Sequence, residues 1–316
     1  MARIIEEWLN SCSGCEIAIL NIGDVLVDLL PSLQFVHIPV LIDKKYYGQT
    51  GEGKTLEIPE ADVAIVSGGV KNEEHLEVLE MCRKRANILV ALGTCATDGG
   101  IPALGNMYGN QAIRDFSYRE SPTTVPGPDP DTETYHIPAM LENCGALDDH
   151  VKVDIKLPGC PPHPDWIAAA VLALLDGKPE NLKLPERSVC DTCPTIRERK
   201  KGGELKRMLQ TPEFDPEKPV SEMRCLLEQG FMCLGPVTRA GCSGLKGEAP
   251  RCISTRMPCR GCYGPIKEDS KPLMDYVGAL ASVGYDPARM LDRKGFLCRF
   301  NGAHGVLHAV KQPKQK

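Results

Sequence analysis

Up to about Leu184 the chain alternates between short apolar runs and helical patterns. Largely apolar runs of strand length, bounded by turn residues, fall at Arg3–Leu9, Phe35–Ile42, Asp62–Ser67, Asn87–Leu92 and Val151–Leu157. Runs this continuous are expected where both faces of a parallel sheet are covered. Helical spacing marks Glu16–Leu30, Glu73–Arg85 and Asp165–Leu175 between them. The alternation predicts an α/β domain with a doubly wound parallel sheet. In such sheets ligands gather at the loops beyond the carboxyl ends of the strands.

From Leu184 onward the periodic strands vanish and Pro, Gly, Lys and Cys dominate. This divides the chain into residues 1–183, the sheet domain, and 184–316, a loop-rich domain. Short helices are predicted near Ile196–Gln210 and Lys271–Ser282, and the basic run Arg197–Arg207 reads as a solvated helix face. A segment this loop-rich is expected to have little apolar core, so metal–sulfur bonds would supply its folding energy. Ser117–Tyr135 is a long Pro-rich loop, and loops of that length are usually functional or disordered. No internal repeat or heptad pattern is present.

Composition narrows the chemistry. A net charge of −5 and only 5% aromatics disfavour nucleic-acid binding by bulk charge or base stacking. The first ten residues carry acids where an export signal needs an apolar stretch. The longest apolar run, Trp166–Leu175, is too short to span a bilayer. The expectation is a cytoplasmic protein without membrane insertion. There, 15 cysteines point to metal or redox chemistry rather than disulfides.

The cysteines fall into sets. Cys12 and Cys15 form C-S-G-C between the first strand and the first helix. Cys95 and Cys160 each follow a strand, so three strand ends would deliver four thiolates to one sheet edge. Cys144 competes with Cys160 for the fourth place. The later set is Cys190, Cys193, Cys225, Cys233, Cys242, Cys252, Cys259 and Cys262. Twelve thiols suffice for three sites of four, leaving Cys82, Cys144 and Cys298. Cys82 is in helical step with Leu76 and Leu79 and reads as core; Cys298 reads as packing.

Four thiolates can hold zinc or an iron–sulfur cluster. Ligands scattered over distant strand ends, and Cys160 and Cys193 each followed by proline, favour iron–sulfur. Cys15 lies just before a predicted helix, whose free amides suit a negative cluster. Glu16 beside it reads as a helix-start acid. His136 and His163 read as surface or core residues. Gly48–Thr55 matches the phosphate-binding loop pattern, but Pro59 follows where a helix would have to begin, so nucleotide binding is disfavoured.

At this point the motifs resemble those of a known family, the small, electron-transferring subunit of nickel–iron hydrogenases. The resemblance rests on Cys12-Ser-Gly-Cys15, Gly93-Thr-Cys95, Gly159-Cys-Pro-Pro162, Cys233-Leu-Gly-Pro-Val-Thr238, Cys242 and Pro258-Cys-Arg-Gly-Cys262, and spans roughly residues 3–262. It implies a flavodoxin-like sheet followed by a loop-rich iron–sulfur domain. It implies a proximal 4Fe-4S cluster on Cys12, Cys15, Cys95 and Cys160. It implies a medial cluster on Cys242, Cys252, Cys259 and Cys262, and a distal one on Cys190, Cys193, Cys225 and Cys233.

Two positions depart from the periplasmic members, which the resemblance gives a histidine at position 190 and a proline at position 252. Thiols at both imply three complete 4Fe-4S clusters at low potential. This is similar to the cytosolic archaeal group, the deazaflavin-non-reducing (viologen-reducing) type. The resemblance then implies a nickel–iron centre only in a partner large subunit. A small iron–sulfur protein and heterodisulfide reductase would be the acceptors. No residue of this chain is expected to be catalytic. A related subunit of respiratory complex I shares the proximal ligation but lacks the eight-cysteine tail; a zinc-stabilised scaffold is the other alternative. Arg239, Arg251, Arg256 and Arg260 crowd the C-terminal cysteines, either offsetting cluster charge or simply solvated.

Overall fold

Among the described residues seven strands form: β1 (Ala2–Trp8), β2 (Leu33–His37), β3 (Ala61–Ser67), β4 (Val70–Asn72), β5 (Ala86–Leu92), β6 (Met140–Gly145) and β7 (Ile155–Leu157). Five pair in parallel in the order β2-β1-β3-β5-β7, while β4 and β6 make a small antiparallel pair. Taken among the five, this is the 2-1-3-4-5 order of the flavodoxin-like fold. The computed structural model describes residues 1–41, 46–48, 52–130, 133, 136–198, 203–206, 210–267, 270–290 and 292–309. In register across the sheet, Ile5 faces Ala64 and Ala64 faces Leu89, and all three are fully buried.

The chain divides into two compact units, Met1–Cys160 with Phe300–Lys316, and Pro161–Arg299. This differs from the boundary expected at residue 183. The helix after Cys160 groups with the second unit, and the C-terminal segment returns to the first. Neither assignment is visible in hydrophobic periodicity, which reports an element's buried face and not what that face touches.

The first unit carries helices α1 (Gly14–Leu20), α2 (Asp24–Leu29), α3 (Glu73–Arg85), α4 (Thr94–Asp98) and α5 (Asn110–Asp115). The helix predicted over Glu16–Leu30 is instead two, broken before α2 where Gly23 takes a positive φ of 72°. Helix α3 matches its predicted span. The Asn72 side chain caps it by accepting from the His75 amide, and acids open it where bases close it. Its Val78, Leu79 and Cys82 enter the core, so Cys82 packs as expected. Strand β2 stops at His37, short of the predicted Ile42, which lies outside the described residues; β7 is only its last three residues.

The second unit holds α6 (Pro164–Leu175), α7 (Arg251–Ser254), α8 (Pro272–Ser282) and α9 (Arg293–Leu297) among many short turns. It corrects the expectation of little apolar core. Leu226, Phe231, Tyr276 and Leu280 are almost fully buried in one cluster with Val189 and Ile253. Tyr276 and Leu280 come from one face of α8 and Ile253 from the short α7, while Leu226 and Phe231 come from turns and follow no period. Cys298 packs against this cluster, as read. The helix expected over Ile196–Gln210 is absent from its described parts; Ile196 and Lys206 instead make isolated bridges to Arg224 and Phe231. Part of the Gly48–Thr55 loop and part of Ser117–Tyr135 lie outside the described residues. After Thr55 no helix follows, and Leu56 and Ile58 enter the core. The start of the Pro-rich stretch is helical, over Phe116–Glu120. Among the described residues no helix is long and apolar enough to cross a membrane.

Candidate metal centres

Parallel strands put their carboxyl ends on one edge, and the first four cysteines use that edge. Cys12 and Cys15 follow β1, Cys95 follows β5 and Cys160 follows β7. Cys15 sits in the first turn of α1 rather than just before it. The loops are stitched together: the Gly93 amide donates to Leu157 O at 2.8 Å, the Thr94 amide to Gly159 O at 2.9 Å, and the Gly159 amide to Thr94 Oγ1 at 2.7 Å. Gly93 has φ 84°, and a Cβ there would stand 2.3 Å from Cys15 Sγ. No side chain fits, so the backbone can close over the sulfur.

Burial pushes the Cys15 thiol up, and so do Glu16 and the neighbouring Cys95, Cys160 and Cys12. Burial likewise pushes Cys95 up to about 12, with Cys160 and Cys12 adding to it. Burial raises Cys160 as well. Four thiols within electrostatic reach of one another, with Cys15, Cys95 and Cys160 held protonated by burial, suit a cationic metal group that would deprotonate them. Cys144 is also nearby: it is buried and lies within electrostatic reach of Cys95. Its backbone is held by both ends of the Asn106 amide.

Glu16, read as a helix-start acid, is in that turn but buried, accepting from Ser67 Oγ. Beside it lies Glu6, buried, whose carboxyl is raised to about 8 by burial first and by Glu16 and Glu7 next. Neither Glu6 oxygen has a hydrogen-bond partner, so burial weighs on its charged form unrelieved. Nothing in the sequence marked Glu6, because Ile4 to Glu7 are buried in succession and an acid is not expected inside such a strand.

In the second unit a cavity of about 280 Å³ is lined by Cys190, Cys193, Cys225 and Cys233 together. Gly235 borders it, and a Cβ there would lie 3.1 Å from Cys190 Sγ and 3.6 Å from Cys233 Sγ. Burial holds Cys190 and Cys233 at about 12. Two polar side chains reach this tetrad, Thr195, which the sequence did not single out, and Arg197, which was expected on a solvated helix face. Thr195 Oγ1 lies 3.1 Å from Cys193 Sγ, and Arg197, at the cavity wall, donates to Cys190 O at 3.3 Å.

The remaining four are brought together less directly. Cys242 feels Cys252, and Cys259 feels Cys262 as well as Cys233. Tyr263, buried, feels both Cys262 and Cys242. Arg260 lies near Cys252 and Arg299, and Arg251 near Cys242. Among the described residues no three His, Cys, Asp or Glu side chains close around a single metal ion. His163 is neither core nor free surface: its ring caps α6, accepting from the Asp165 amide at 3.3 Å. His136 is exposed.

Residues 12–174 match the family described as NADH ubiquinone oxidoreductase, 20 Kd subunit. A chain of the vhu F420-non-reducing hydrogenase of Methanocaldococcus jannaschii is 38% identical over 293 residues, 92% of each chain. The chain belongs to the nickel–iron hydrogenase small-subunit family. A chain of the F420-non-reducing hydrogenase of Methanothermobacter thermautotrophicus is 36% identical over 87% of this chain and 82% of its own. Among solved structures, an NAD+-reducing [NiFe]-hydrogenase chain is 32% identical over 56% of this chain and 92% of its own, with a TM-score of 0.50. A [NiFeSe]-hydrogenase chain from Dm. baculatum, 17% identical, shares the fold over 85% of this chain and 96% of its own, with a TM-score of 0.51. As a hydrogenase small subunit, the chain is an oxidoreductase subunit that serves electron transfer beside a large subunit holding the nickel–iron site.

Proposed function

We propose that this subunit conducts electrons from H2 oxidation in the large subunit through three 4Fe-4S clusters to a low-potential acceptor. Cys12, Cys15, Cys95 and Cys160 would hold the proximal cluster. Cys242, Cys252, Cys259 and Cys262 would hold the medial one, and Cys190, Cys193, Cys225 and Cys233 the distal one. The observation that carries the reading is the cavity walled by four thiols with no side chain at Gly235. Four thiols spread around a cavity suit a multi-iron cluster better than a single zinc ion, which draws its ligands into a tight tetrahedron. The clusters would supply one-electron transfer; the protein's part is to place them and tune their potentials.

Two further features support the partners. Ile17, Leu20 and Val27 of α1 and α2 are at least half exposed, close along the chain to Cys12 and Cys15. An apolar patch beside a cluster edge is suited to burial against the large subunit. The acceptor would be a small iron–sulfur protein and heterodisulfide reductase, as the resemblance of the sequence motifs implies, working in the cytoplasm. Cys190 and Cys252 as thiols support this, because each added thiolate lowers the potential.

Anaerobic iron and sulfide analysis with electron paramagnetic resonance tests the whole reading. The expected result is about twelve irons per chain, for three four-thiolate sites, and no three-iron signal. A colourless protein carrying zinc, or a three-iron signal, would refute it.

A further inference from the structure

The C-terminal segment returns to the first unit and lies against the helix that carries Cys95. The Ala303 amide donates to Asp98 O, at the end of α4, at 3.1 Å. Gly99, just past α4, has φ 85°, and a Cβ there would meet Ala103 Cβ at 2.6 Å and Ala303 N at 2.9 Å. A Cβ on Gly302 would meet Ala103 O at 3.0 Å. Backbone therefore packs on backbone, and Ala303 and Leu307 are buried in the contact. On the other face of the same turn, a Cβ on Gly100 would stand 2.5 Å from Cys95 Sγ. The sulfur and the returning segment thus grip one short stretch of chain.

One residue fastens the segment. His304 has a positive φ of 54°, a conformation that costs a non-glycine residue energy. Its amide donates to Asp149 Oδ2 at 3.2 Å, and its Nε2 lies 2.8 Å from Asp148 Oδ1. Asp148 Oδ2 accepts from Lys156 Nζ at 2.6 Å. The groups facing His304 are Asp148, Asp149 and the half-buried Asp98, with Lys156 opposing across Asp148 and His150 beside Asp149. Three acids against one lysine favour the imidazolium.

We propose that residues 300–309 are a clasp that holds α4, and with it Cys95, in position for the proximal cluster, and that His304 on Asp148 is its latch. The role assigned to Cys95 rests on the ligation proposed above; the clasp itself does not. His304 is a positioning residue, acting through the segment it pins. Its hydrogen bond to Asp148 raises the imidazole's pKa above its ordinary value, against the opposing pull of burial. The latch is therefore complete below the ordinary histidine pKa and is lost as pH rises through the raised one.

Hydrogen exchange on the complete, cluster-loaded protein, normalised for intrinsic exchange, tests this across pH. At mildly acidic pH, His304→Gln and Asp148→Asn should speed exchange in both 300–309 and 94–104 by roughly fivefold, the scale of one half-exposed ion pair. Wild type should converge on the variants at alkaline pH. His304→Lys, which keeps a cation, should retain protection there. Exchange that rises in 300–309 alone, or in neither segment, would overturn the proposal. If Cys95→Ser kept full iron content while the two segments still loosened together, the ligand reading would fail and the clasp would stand.

Discussion

The backbone amide of Cys259 donates a hydrogen bond to Sγ of Cys233, at 3.3 Å. The first residue is assigned to the medial set and the second to the distal set, so the two sets touch through a single bond. Leu234 N donates back to Cys259 O at 2.9 Å and locks the two strands of loop together.

That contact predicts an asymmetry among distal ligands. Cys233→Ala and Cys193→Ala should both lose the distal cluster. Only Cys233→Ala also strands the buried Cys259 amide, at a cost of about 1–3 kcal/mol. Its medial paramagnetic signal should therefore shift and its melting temperature fall below that of Cys193→Ala. Identical medial spectra in the two variants would refute the coupling.

Arg197 should set the distal potential. A cation donating to the carbonyl of a ligand residue favours the more negative, reduced cluster. Arg197→Gln should lower that potential, by something on the order of tens of millivolts, and leave the proximal one unchanged. Redox titration followed by paramagnetic resonance measures this directly, and Arg197→Lys should recover part of the shift.

Gly93 leaves no room for a side chain. Gly93→Ala must both hold alanine in a conformation nearly reserved for glycine and displace Cys15 Sγ. The backbone term alone is about 1–3 kcal/mol. Iron content should fall by about four per chain as the proximal site fails, with the other two retained. Full iron content in this variant would place the proximal cluster elsewhere.

Glu6 makes stability depend on pH. Its carboxyl ionises near 4.5 when unfolded but holds its proton to about 8 when folded, chiefly through burial. Between those values the folded chain binds more protons, so stability falls as pH rises across that window. Glu6→Gln, which cannot ionise, should flatten this slope and stabilise the protein on the alkaline side by about 2 kcal/mol. Denaturant melts at several pH values check it; parallel slopes would refute it.

Much of the sheet was legible because its central strands β3 and β5 are mostly buried and write nearly continuous apolar runs. Helix α3 was legible to the residue because Asn72 caps it and bases end it. The break at Gly23 was not, since one glycine inside a helical pattern is often tolerated. Cys12, Cys15, Cys95 and Cys160 could be grouped because parallel topology forces strand ends together. The roles of Arg197, Thr195 and His304 were invisible for the opposite reason. Their contacts depend on turns with no periodic signal, and in the case of His304 on a partner more than 150 residues away. The core around Phe231 and Tyr276 escaped notice because only Tyr276 and Leu280 share a helix face, and the residues they meet, Leu226 and Phe231 among them, come from turns.

That second core has a consequence for durability. Cys233 and Cys259 belong to it as packing members and are also proposed ligands. Oxygen that dismantled either cluster would leave bare thiols where the interior had been organised around iron. Damage and unfolding would then be one event, and recovery would call for refolding the unit, not merely restocking it with metal.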